Sequence, residues 1–173
     1  MRLERIVCSL IVAGVAFSPL LLHAQQAPAG PQDSIKGQFT DIHRKLLVMA
    51  KDFPADKYTF RLKPEMRSFG DVIVHVSSGI VYAAKAGRGE KVKWDELNAR
   101  DYPNKAAAVA LMERSINEAA ATLNSLPAAS FSKTIEPWLP VLEHSAEHYG
   151  LLVAYYRANG LVPPESRPQG PGK

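Results

Sequence analysis

Cysteine is almost missing from this chain. One cysteine, Cys8, occurs in 173 residues. That excludes an intrachain disulfide framework, a Cys-based zinc cluster and the C-x-x-C-H attachment of a c-type haem. Convincing strand pairs are missing as well. No G-x-S-x-G, P-loop or G-x-G-x-x-G loop appears, so the usual nucleophile-elbow and phosphate-cradling signatures are absent. A strong charge bias is also lacking: 21 Lys+Arg stand against 17 Asp+Glu, spread along the sequence. Such a chain has no nucleic-acid footprint. Its 46% hydrophobic content and 22% charged content exclude a wholly disordered chain. Its length suits one domain with a core large enough to need no staple.

Long apolar runs are confined to one place. Arg2 and Arg5 precede an uncharged stretch from Ile6 to Leu22, and Ala24 follows it. We read residues 1–24 as a cleaved secretory signal. The run is short for a membrane span, which needs about 20 apolar residues, and Pro19 interrupts it. Export to the periplasm or the extracellular space is therefore expected, with no stable membrane anchor after cleavage. Cys8 leaves with the signal, so the mature chain has no thiol nucleophile of its own. Residues 25–33 read as a flexible linker, 34–166 as the folded domain, and 167–173 as a disordered tail.

The folded part shows helical periodicity in four blocks. In the first, from about Ser34 to Lys51, Ile35, Phe39, Ile42, Leu46 and Met49 form one stripe, with Asp33 or Ser34 as N-cap. In the second, Ser68 and Asp71 make an S-x-x-D start, and Phe69, Val72, Val76, Ile80 and Ala83 share a face. Asn104 caps the third block, whose buried side carries Met112, Ile116, Ala119 and Leu123. The fourth starts near Pro137 and ends at Gly160, placed for a left-handed C-cap. Residues 88–103 between the second and third blocks are polar, with Trp94 as the one large apolar anchor. This pattern predicts an all-α four-helix bundle. The long connections leave simple up-down-up-down order unsupported.

Chemistry falls to the histidines. His144 and His148, in HSAEH, stand at i and i+4, which stacks two imidazoles on one helix face. His75 lies mid-way along the second block, flanked by valines and near its buried side. Three histidines from two helices would make a neutral nitrogen site with an open position, an arrangement suited to a catalytic metal. Imidazoles serve zinc, nickel, copper or iron alike. Spacing alone also admits a surface pair beside a satisfied core histidine. His43, in TDIHRK, reads as a solvated face residue. HSAEH fits the H-x-x-E-H peptidase pattern, but Glu165 is the only acid after His148 and sits in a Pro-rich tail. The Glu-x-x-His repeat of di-iron bundles is absent.

Three stretches in order carry a family resemblance. Phe60 to Val76 (FRLKPEMRSFGDVIVHV), Lys105 to Ser115 (KAAAVALMERS) and His144 to Ser166 (HSAEHYGLLVAYYRANGLVPPES) resemble the DinB/YfiT-like superfamily of small four-helix bundles. The resemblance covers about residues 34–166. It implies a bundle with a 1-2-4-3-like helix order, often dimeric. It implies one divalent metal, commonly zinc or nickel, on His75, His144 and His148. Characterised relatives are thiol-dependent transferases or isomerases, in which the metal would lower the pKa of an external thiol.

Glu147 is the candidate general base or ligand-orienting group beside the pair, with a solvated glutamate as the plain alternative. Tyr149 and Tyr156 are expected in the core, and Tyr155 and Arg157 at the site rim or tail. Ser77 and Ser78 read as structural helix serines or substrate contacts. Three functions follow from these residues: an exported metal-dependent transferase or hydrolase acting on a small molecule, a non-enzymatic exported metal-binding or stress-associated bundle, and a bundle whose histidines only fill space.

Overall fold

The computed structural model describes residues 30–168. Residues 1–24, expected to be a signal, residues 25–29 of the expected linker and residues 169–173 of the expected tail lie outside the described residues. Four long helices, α1 (Pro31–Asp52), α2 (Phe69–Gly87), α3 (Lys105–Ser125) and α5 (Trp138–Ala158), make an all-α bundle, with the short α4 (Ala128–Phe131) joining the last two. Among the described residues, no helix is long and apolar enough to cross a membrane.

Local chemistry sets the helix ends. The Ser68 hydroxyl accepts from the Asp71 amide and the Asp71 carboxylate accepts from the Ser68 amide, each at 3.1 Å. This reciprocal box satisfies two donors that the first turn of α2 leaves open. Asn104 Oδ1 accepts from Ala107 N at 3.0 Å to start α3. Gly160 has φ +69°, and the Leu161 amide reaches back to the Tyr156 carbonyl at 2.9 Å, closing α5. The start of α1 differs from the sequence expectation. Gly30, not Asp33 or Ser34, is the N-cap, and it makes no side-chain cap bond. Pro31 opens the helix because its fixed φ suits the first turn and it has no amide to leave unpaired.

Helix α1 packs on α3 and α5, and so does α2. The order around the bundle is therefore α1-α3-α2-α5, with α1 and α2 diagonal, rather than the 1-2-4-3 order implied by the resemblance. Directions follow from contacts at the helix ends. Gln32 Nε2 donates to the Leu126 carbonyl at 3.0 Å, and Lys51 pairs with Glu113, so α1 and α3 are antiparallel. Arg88, just past α2, bonds Glu118 at 2.8 Å near the end of α3. At the other end, Lys105 Nζ donates to the Phe53 carbonyl at 2.8 Å, and the Phe53 ring stacks 3.8 Å from Phe69. Helices α2 and α3 thus run parallel. A parallel neighbour cannot be reached by a short turn, so residues 88–104 cross back along α2.

The core has an aromatic cluster at one end, where Phe53, Tyr58, Phe69, Tyr155 and Tyr156 pack within ring contact. Tyr155 is buried there, not at a rim, and its hydroxyl donates to the Arg67 carbonyl. Tyr156 donates to the Met49 carbonyl at 2.8 Å. Tyr149 is half-buried against the core, and Arg157 is exposed. Arg167, assigned to the tail on sequence grounds, is tied to Asp52 at 2.8 Å.

His43 corrects the sequence expectation most sharply. It is fully buried. Its Nδ1 donates to the Phe39 carbonyl at 2.8 Å, and its Nε2 lies 3.0 Å from Ser145 Oγ, tying α1 to α5. The stripe that faces inward is Phe39, His43, Leu46 and Ala50, which keeps helical spacing and leaves Ile42 at its edge.

Burial pushes the His43 imidazole down to about 4, partly opposed by the bond to Phe39. The unfolded chain takes up that proton first, near the ordinary value of 6.5. Stability is then lost as pH falls from about 6.5 to about 4, by at most about 3 kcal/mol from this group. Melting temperatures measured across that range should fall more steeply in wild type than in His43→Leu. Parallel curves would rule the assignment out.

Candidate metal centre

Antiparallel packing of α2 against α5 sets His75 opposite the i, i+4 pair. The ring centroids of His75, His144 and His148 form a triangle with sides of 4.8, 4.8 and 4.4 Å. One nitrogen from each lies within 4.8 Å of the other two. The Nε2 atoms of His75 and His144 are 3.0 Å apart. All three side chains are partly buried. The structure thus brings together the three histidines named from the sequence.

The outward nitrogens show what the inward ones can do. His75 Nδ1 lies 3.1 Å from Glu96 Oε1, and His148 Nδ1 lies 2.9 Å from the His144 carbonyl. Both partners are pure acceptors, so each Nδ1 holds the proton and each Nε2 keeps its lone pair. His144 Nδ1 is buried with no hydrogen-bond partner, the one such side-chain atom among the described residues. Leaving a polar atom so costs about 1–3 kcal/mol; this nitrogen faces Gly79, away from the triad.

The surroundings of His144 and His75 favour their neutral forms. Burial, then the charges of His148 and His75, lower His144 to about 4. Burial and the Arg67 guanidinium lower His75, against a smaller upward pull from Glu96. Neutral imidazole is the form that ligates metal. Three nitrogen donors, two with their Nδ1 protons held outward, fit a divalent metal ion.

The crossover supplies the surroundings. The Leu97 amide donates to Ser78 Oγ at 3.0 Å, pinning the loop to α2. Ser78 and Ser77 also bond carbonyls of their own helix, so both serines are structural. Trp94 lies edge-on to His144, with centroids 4.8 Å apart, and against Tyr82 at 5.2 Å. Gly79 makes room for it. A Cβ at this position would stand 2.5 Å from the indole and 3.0 Å from His144 Nδ1. Trp94 is still 39% exposed, so it walls the site and also faces solvent.

Glu96 joins the candidate centre although the sequence pattern does not single it out. It accepts from His75 and from Arg67 NH2, the latter at 3.0 Å to both carboxylate oxygens. Its only sequence signal was its place in a polar loop near Trp94. Glu147 is exposed, and it makes no hydrogen bond or ion pair among the described residues. A cleft of about 600 Å³ between Tyr58 and Val109 includes none of the histidines, so we place the site by donor chemistry rather than by cavity size.

A family model described as the DinB superfamily matches residues 38–157, a span that includes all three histidines. No curated protein matches the chain.

Carboxylates that hold a ligand histidine typically change metal affinity by about 10–100-fold when removed. Glu96→Ala should weaken zinc binding by that factor in a chelator competition, with the helical circular dichroism unchanged. An unaltered affinity would remove Glu96 from the centre.

Proposed function

The chain belongs to the DinB superfamily, and from that premise we propose an exported enzyme of the metal-dependent transferase or hydrolase class. It holds one divalent ion, zinc or nickel, through His75, His144 and His148. The observation that carries this reading is the convergence of three imidazoles, two of them with their Nδ1 protons committed to outward acceptors.

A bound ion supplies positive charge that lowers the pKa of a water or an external thiol. The protein's own residues do the rest. Glu96 fixes the tautomer and ring plane of His75. The His144 carbonyl does the same for His148. Trp94 and Gly79 shut water out from one side of His144, which strengthens electrostatic interactions within the site. With Cys8 removed in the signal, the mature chain offers no thiol, so a thiol nucleophile comes from a cosubstrate. Glu147, exposed and unpaired beside His148, is the candidate for proton transfer. The substrate is a small molecule, and a homodimer is part of the proposal.

Elemental analysis of untagged protein should find one metal per chain. His148→Ala should lose it while keeping its fold. Turnover of thiol acceptors or esters should follow the metal, and Glu147→Gln should lower kcat. Stoichiometric metal with no turnover on either substrate class would favour the non-enzymatic binding protein, and wild type that never takes up metal would sink both. Export is tested separately: the secreted or periplasmic protein should begin at Gln25 by mass spectrometry.

A further inference from the structure

Beside the histidine triad lies a second cavity, of about 470 Å³, lined by Arg61, Arg67, Asp71, Glu96, Asn98 and Arg100 among others. Three guanidinium groups meet two carboxylates there. Arg61 is paired with Asp71 at 2.9 Å. Arg67 is paired with Glu96 at 3.0 Å, through NH2 alone. The Arg100 side chain has no hydrogen bond or ion pair among the described residues. The cavity therefore keeps one uncompensated positive charge, with free N–H edges on Arg67 as well.

The backbone of the wall is held in place. Arg100 sits in the 3-10 turn Ala99–Asp101, where its amide donates to Asn98 Oδ1 at 3.1 Å. The Arg67 carbonyl is held by the Tyr155 hydroxyl, and Arg61 lies in a bridge with Ser68. A concave surface with unspent guanidinium donors on Arg67 and Arg100 suits an oxyanion, because such a group accepts several charged hydrogen bonds at once.

We infer that this cavity binds the oxyanion group of a small molecule, a carboxylate or a phosphate, with Arg100 as its anchor, and that its occupancy is coupled to the triad through Arg67, Glu96 and His75. The coupling has a definite sign. Glu96 is shared between Arg67 and His75. An anion that engages Arg67 draws it away and leaves Glu96 more fully to His75, which raises the basicity of that ligand. Anion and metal then tighten each other's binding by the same factor. The coupling deepens the proposed function by naming an anionic substrate class, and rests on it; the anion site itself does not.

The full mature chain, freed of metal, is titrated with methylphosphonate and separately with acetate at low salt, followed by the amide resonances of Asn98 and Arg100. Saturable shifts are expected for at least one probe, and the stronger binder tells phosphate from carboxylate chemistry. Arg100→Gln should weaken that binding about tenfold or more, the effect of losing a charged hydrogen bond, while Lys105→Gln, at the other cleft, leaves it unchanged. Non-saturating shifts for both probes, or equal binding by Arg100→Gln, overturn the site. Zinc affinity is then measured with and without the saturating probe. It should tighten about fivefold in wild type, the lower end of usual site coupling, and stay constant in Arg100→Gln. Unchanged zinc affinity in wild type overturns the coupling, whereas a chain that takes up no zinc refutes the metal reading and leaves the anion result standing.

Discussion

Parallel packing of α2 and α3 is the constraint on which the rest of the site depends. Two parallel neighbours demand that the chain return the length of the first before starting the second. In this protein residues 88–104 make that return along the face of α2 that carries His75. The crossover is thus a long connection forced by topology and then put to use. It brings Trp94 to His144, Glu96 to His75 and Arg100 to the neighbouring cavity. One bond, from the Leu97 amide to Ser78 Oγ, sets its register. Serine is the residue type that allows this, since its hydroxyl donates to its own helix and accepts from the loop together.

Two histidines, His43 and His144, show how the same protonation behaviour serves different ends. Burial lowers both His43 and His144 to about 4. His43 has a partner on each nitrogen and joins α1 to α5 as a neutral, fully bonded strut. His144 keeps one nitrogen toward two other histidines and has none to satisfy the second. Folding alone would favour the first arrangement at both positions. The second arrangement instead sets the inward nitrogen of His144 among the nitrogens of two other histidines, a geometry compatible with metal binding.

The sequence made much of this legible, and for identifiable reasons. The Ser68–Asp71 box, the Asn104 cap and the Gly160 terminus are local chemistry, and each appears where its residues stand. The triad was legible because i, i+4 spacing is a helix property and His75 lies among valines. Glu96 was not, since its contact depends on how a loop is laid against a helix 21 positions earlier. His43 was hidden by its neighbours: Asp41, Arg44 and Lys45 bond one another on the solvent side and lend the whole segment a polar look. The helix order was equally out of reach, because four apolar stripes state that helices pack and not which pairs do. The stripe of α2 is buried against both α3 and α5, so a single face of residues supports more than one arrangement around the bundle.

The two tryptophans end up in opposite settings. Trp138 is sealed in the core, 1% exposed, between Phe39 and the notch at Gly87. Trp94 stands partly in solvent with its ring against His144. The chain therefore contains two built-in optical reporters with separable emission. The blue, shielded indole follows the integrity of the bundle, and the red, wetted one sits in contact with the centre itself. Occupation of the centre and loss of the fold become distinguishable in one spectrum, with no label attached and no residue replaced.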